Sequence, residues 1–188
     1  MNMTRRTLAA AAMAFAGAAG PMMASAAHAD SREQLTANAV AALHTLERDD
    51  PRSRFYAQHA QAVLVFPSVL KAGFVFGGET GNGVLMVHGR PEAYYNISGG
   101  SWGLQIGGQD FSYALFFMTP GSLGYLRKSE GFSAGTGPSI TVINRGAAAA
   151  ADTTTLSQDV VAFPFNGKGL MADLTLQGTK ITRIHPHN

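Results

Sequence analysis

The sequence predicts a mainly β fold, bordering on α+β: two N-terminal helices, then about ten antiparallel strands with one inserted helix. The sheet is expected to be barrel-like or doubled, because that many strands must close or fold over to bury their faces. Three observations carry this expectation. From Val63 onward the apolar period changes from helical to two. The runs that follow are short and rich in β-branched and aromatic residues. Gly-rich or polar segments (GGETGNG, HGRPE, NGKG and LQG) separate them.

Residues 1–29 read as a cleaved export signal. Arg5 and Arg6 precede an Ala-rich apolar run from Leu8 to Ala19, and small residues place cleavage after Ala26 or Ala29. The run is interrupted by Gly17, Gly20 and Pro21, short of the roughly 20 apolar residues that span a bilayer. Arg5-Arg6 after Thr4 also suits a twin-arginine signal. The remaining 30–188 read as a single domain, with a helical segment at 31–62 and a β-rich core at 63–184.

In the helical segment, Ser31 caps a first helix with Gln34 completing a capping box. Leu35, Ala39, Leu43 and Leu46 then recur at helical spacing. Asp50-Pro51 restarts the chain as cap and first residue of a second helix through RSRFYAQHAQA. The strand-length runs are VLVF, GFVF, VLMVH, AYYNI, SWGLQIGG, FSYALFFM, SITVIN, DVVAFPF, GLMADLTL and TKITRI. Alternation is clearest where Trp102, Leu104 and Ile106 oppose Ser101, Gly103, Gln105 and Gly107. Thr119-Pro120 opens the inserted helix, Leu123 and Leu126 face inward, Arg127-Lys128 sit in its last turn and Gly131 closes it. GAAAAADTTT (146–155) is a low-complexity connector.

Charge and composition exclude several functions. Without Arg5 and Arg6, twelve Lys and Arg face twelve Asp and Glu, so the exported chain is near neutral and lacks the basic stripe of a nucleic-acid binder. With no cysteine there is no disulfide, thiolate zinc site or acylation cysteine. Gly78 and Gly83 have the Walker spacing, but Val84 and Leu85 stand where Lys and Ser or Thr are required. Asn82-Gly83 instead signals a hairpin, so these glycines are expected to turn strands. Gly99-Gly100-Ser101-Trp102-Gly103 matches GxSxG, yet the flanking alternation is a strand's, and that serine needs a strand-to-helix elbow. Ser68 and Lys71 match SxxK without its partner motifs SDN and KTG. The histidines are scattered, and His185-Pro186-His187 reads as a solvated tail. No catalytic residue, metal or cofactor is expected.

Four stretches are more specific: VLVFPSVLKAGFVFGGETGNGVL (63–85), SWGLQIGGQ (101–109), FFMTPGSLGYLRKSEGFSAG (116–135) and DTTTLSQDVVAFPFNGKGLMADLTLQGTKITRI (152–184). In content and order they resemble the SYLF-domain family, a lipid-binding module of exported bacterial and eukaryotic endocytic proteins. The resemblance covers roughly 55–184, and Phe66-Pro67, Lys71-Ala72-Gly73-Phe74, Gly103-Leu104-Gln105, Gly169-Leu170-Met171 and Gly178 carry most of it. It implies a β-rich lipid-binding domain without known catalysis. Eukaryotic relatives bind phosphoinositides, partly through a basic amphipathic N-terminal helix, and some bind actin. This chain departs from that pattern, since Arg32, Arg48, Arg52 and Arg54 are balanced by Glu33, Glu47, Asp49 and Asp50.

Headgroup binding needs several converging cations, each worth roughly 1 kcal/mol near an anionic surface. The candidates are Arg52 and Arg54 with Lys71, beside Phe55, and Arg127 with Lys128. Lys71 ranks first, because Arg127-Lys128 also complement a helix dipole. The expected function is non-enzymatic, peripheral binding to a phospholipid surface, plausibly anionic, in the periplasm or outside the cell. The alternatives are a barrel-type carrier of a small apolar ligand and, lesser, a small serine hydrolase using Ser101.

Overall fold

The structure, a computed structural model, describes residues 31–73, 76–102, 107–143, 158–167, 176 and 178–187. The export segment, the low-complexity connector, residues 103–106 of the Trp102 alternation and nearly all of GLMADLTL lie outside the described residues.

Helix α1 spans Arg32–Asp49, and the Ser31 side chain accepts the Gln34 N–H at its start. Its buried stripe is Leu35, Ala39, Ala42 and Leu46. The backbone turns extended at Asp50, whose carboxylate caps α2 (Pro51–His59) by accepting the Arg52 N–H at 3.0 Å. Strands β1 (Ala62–Gly73), β2 (Phe76–Val87), β3 (Arg90–Trp102) and β4 (Gly107–Phe117) follow. Then come α3 (Pro120–Lys128), β5 (Gly131–Ser133), β6 (Ile140–Val142), β7 (Val160–Phe165) and β8 (Thr179–Ile184). They form one curled half-barrel sheet in the order β5-β8-β3-β2-β1-β4-β7-β6, antiparallel except for the β6–β7 pair.

The mainly β class stands, but the described residues hold eight strands rather than about ten. The run VLVF was expected to end at Phe66, before Pro67. Instead β1 runs through it, because its missing N–H is accommodated at a register shift between Phe66 and Val69. The Ser112 hydroxyl donates to the Pro67 carbonyl at 2.7 Å and closes the gap. SWGLQIGG is divided between the end of β3 and the start of β4, while short β5 had no periodic signal.

The glycine segment corrects a second expectation. GGETGNG lies inside β2, and Asn82-Gly83 pairs with Tyr95 and Asn96 in mid-strand. The tight turn is His88-Gly89, both at positive φ, as the type I′ hairpin requires. Gly83 is needed for space: a Cβ there would stand 2.5 Å from Cδ1 of Phe66 and 2.7 Å from the Val65 carbonyl. Gly83→Ala is therefore expected to cost about 1–3 kcal/mol by overpacking. Urea unfolding checks this, and a variant as stable as the parent would refute the fit.

Both faces of the sheet are covered. The outer face packs Val63, Val65, Val84, Phe116 and Phe163 against α1 and Tyr56 of α2. The inner face holds Leu64, Phe66, Tyr95, Phe111, Tyr113 and Leu115, with Leu123 and Leu126 of α3. Edge strands β5 and β6 also contribute to this inner cluster through Phe132, Ile140 and Val142. Curling thus brings opposite edges toward one another, joined by residues 134–139, and leaves a cavity of about 370 Å³ at the seam.

Candidate functional site

Lys71 sits near the end of β1, directly opposite Glu79 of β2 and Gln109 of β4. Strand alternation sends both Lys71 and Glu79 to the inner face, where they are 8% and 6% exposed. Glu79 Oε1 has no hydrogen-bond partner among the described residues. A Cβ at Gly99 would lie 3.3 Å from that oxygen and 3.0 Å from Cγ2 of Thr179, so β3 and β8 wall the carboxyl in. Burial raises the Glu79 pKa, and the Lys71 charge offsets part of that rise. The Tyr113 phenol, buried on the same face, is pushed up by burial and then by the Glu79 charge, which keeps it neutral. Lys71 is therefore an interior cation, not a surface one.

Arg52 is committed to Asp50. Its Nη2 lies 2.6 Å from Oδ2 of that buried carboxylate, which raises the guanidinium pKa further. Arg54 is exposed and donates Nε–H to the Glu47 carbonyl at 2.5 Å. Phe55 is half-buried, packed edge-on against Tyr56 and 4.5 Å from the His59 ring. Arg127 and Lys128 are exposed in the last turn of α3. Arg127 forms a two-pronged bond with Glu92, 2.8 and 2.5 Å, while Lys128 has no ion pair among the described residues.

These candidates do not converge. Tyr56 of α2 stacks over Phe116, which pairs with Val63 at the start of β1. Lys71 is eight residues further along that strand, roughly 26 Å away at about 3.3 Å per residue. The rim at the start of β1 instead gathers Arg127, Lys128 and, through Glu92, the exposed His88 and Arg90 of the β2–β3 turn. Sequence reasoning missed Glu79, His88 and Arg90. The pairing of Lys71 with Glu79 becomes visible only when Gly73 is set opposite Gly77, and not when Asn82-Gly83 is taken as the turn.

Other motifs separate as well. Ser101 lies within β3 opposite Gly77, while β8 ends with Ile184 opposite Tyr94, just before His185. Seven residues of strand, about 23 Å, divide Ser101 from that position. Asp159 is engaged elsewhere, accepting from Thr119 and from both the N–H and hydroxyl of Ser139, which lower its pKa. The tail carrying His185 and His187 is tied to α1, with the Arg32 Nε–H donating to the Pro186 carbonyl at 2.7 Å. Among the described residues no group of three His, Asp or Glu is arranged for a metal, and no helix is long and apolar enough to cross a membrane.

Residues 98–188 match a family model described as Ysc84: Las17-binding protein actin regulator. Over this stretch, just under half of the chain, the match agrees with the SYLF-domain resemblance of the sequence. No curated protein matches the chain. The matched part includes the end of β3 and all of β4 to β8 but omits β1 and β2, which lie at the centre of the sheet between β3 and β4.

Proposed function

We propose that this SYLF-like chain is a non-enzymatic, exported protein that binds phospholipid membranes peripherally, at its surface. The family match supports lipid contact. The observation that carries surface binding over an enclosed ligand is the filled inner face, whose aromatic side chains are at most 6% exposed. A carrier barrel keeps such an interior open. The α1 groove of about 510 Å³ is lined by neutral residues, including Asn38, Thr45, Ser68 and Asn166, and offers no charge to a headgroup.

Exposure then ranks the headgroup cations. Arg54 beside Phe55, and Lys128 next to the Glu92-bound Arg127, are exposed to solvent, whereas Lys71 and Arg52 face buried carboxylates. The leader-like first 29 residues support export, and the exposed cations suit anionic lipid better than neutral lipid.

Co-sedimentation of purified protein with phosphatidylcholine vesicles, with and without phosphatidylglycerol, tests the reading. Binding is expected only with the anionic lipid and should fall as salt rises. Neutralising Arg127 and Lys128 to Gln is expected to weaken it about thirtyfold, from roughly 1 kcal/mol per charge removed. No binding at low salt, or a stoichiometric apolar molecule in an organic extract of the protein, would overturn surface binding.

A further inference from the structure

We infer that Lys71 and Glu79 form a proton-gated site for a phosphate oxyanion, closed when Glu79 is ionised and opened to the anion when Glu79 is protonated. This rests on the membrane reading above and adds a second, conditional contact to it.

The geometry has three parts. Lys71 and Glu79 are cross-strand neighbours on the inner face, both more than nine-tenths buried. Glu79 Oε1 and the Tyr113 and Tyr95 hydroxyls are buried on that face without hydrogen-bond partners among the described residues. Lys71 stands two residues from the end of β1 and Glu79 three residues from the start of β2, so a four-carbon ammonium stem has only a short distance to cover at the sheet end.

Charge logic sets the direction of the gate. The groups facing Glu79 are Lys71 from β1, Tyr113 from β4, Thr179 from β8 and the backbone of Gly99 from β3. Ionised Glu79 is the charge that faces Lys71 across the strand pair, which lowers its demand for an outside anion. Burial favours its neutral form, so protonation begins at higher pH than for an exposed carboxyl. Once Glu79 is neutral, Lys71 is the one cation in this cluster and has no counter-charge. A buried cation in that state requires an anion or must reach solvent. A phosphate oxyanion satisfies the ammonium and also accepts from the Glu79 carboxyl and the Tyr113 hydroxyl, both then donors. A negatively charged leaflet concentrates protons at its surface, so the gate opens where the lipid phosphate is.

Two probes distinguish the phosphate sources: inorganic phosphate by calorimetry, and vesicles of phosphatidylcholine and phosphatidylglycerol by co-sedimentation. Each is measured near neutral pH and about two pH units lower, in a range where histidines also titrate. The variants are Glu79→Gln and the double change Lys71→Met with Glu79→Gln, which removes both charges together and avoids a stranded carboxylate. The protein is expected to gain about fivefold in affinity on acidification beyond any gain of the double variant, the worth of one added cation. Glu79→Gln is expected to hold the higher affinity at both pH values. A gain in the calorimetric arm identifies free phosphate as a sufficient ligand, and a gain on vesicles alone identifies the headgroup; each supports the site. Equal pH responses in the protein and the double variant would overturn it and assign the effect to groups other than this pair. If the double variant fails to fold, Glu79→Gln decides alone, and an unchanged pH response there overturns the site. Phosphate binding with the expected pH gain but no vesicle binding at either pH would sink the membrane reading and leave the gated site standing.

Discussion

Replacing Lys71 by methionine is expected to destabilise the protein by about 3 kcal/mol near neutral pH, and adding Glu79→Gln is expected to restore most of the loss. The single change strands a carboxylate that is 6% exposed and already lacks a partner for Oε1. The double change leaves two uncharged side chains of nearly unaltered volume. The pH dependence follows from the raised Glu79 pKa. A carboxyl whose folded pKa exceeds its unfolded value subtracts stability above the folded pKa, and that stability returns as pH falls through it. Without the Lys71 charge the folded value rises further, so the deficit of Lys71→Met should shrink on acidification and begin to do so at higher pH than in the parent. Urea unfolding at several pH values measures this. A double variant as unstable as the single one would show that Lys71 acts through packing, not through Glu79.

Phe116→Ala is expected to cost about 3–5 kcal/mol, the usual loss for a large aromatic removed from a close-packed core. Phe116 is fully buried on the outer face of β4, edge-on to Phe163 at 5.5 Å and 6.3 Å from the Tyr56 ring. It therefore joins β4 and β7 to α2, and its loss should loosen 51–59 before the sheet itself opens. Urea unfolding with limited proteolysis of that segment tests both parts. A loss below about 1 kcal/mol, in the range of surface substitutions, would mean that α2 is held by other contacts.

Local chemistry was the legible part of this fold. Ser31, Asp50-Pro51 and Thr119-Pro120 mark helix starts because a cap and a first-turn proline act within three residues. The change to period two marks the sheet for the same reason, since a half-buried strand advertises its own face. GGETGNG was misread because sequence cannot show whether glycine serves φ or space. Here the ring of Phe66, on the neighbouring strand, occupies the space a Cβ would need. VLVF read as a complete strand for a similar reason, since the register shift that lets β1 continue past Pro67 is a property of three paired strands.

The candidate site was less legible than the fold. Arg54, Arg127 and Lys128 are exposed, consistent with their amphipathic settings, but Lys71 looked like a free cation in a stretch of low charge. Its inward direction and its opposition to Glu79 depend on where the β1–β2 turn falls, and moving a strand by one residue reverses every side chain.

The amino-acid order alone determined the helix caps, the mainly β character and the family resemblance that its quoted segments carry, because each of these is written in residues close together in the chain. Tertiary structure decided which cations meet water and which meet a carboxylate. Charge becomes either surface or interior only when strands pair, and the seven residues between Lys71 and Glu79 carry no mark of the face the two will share.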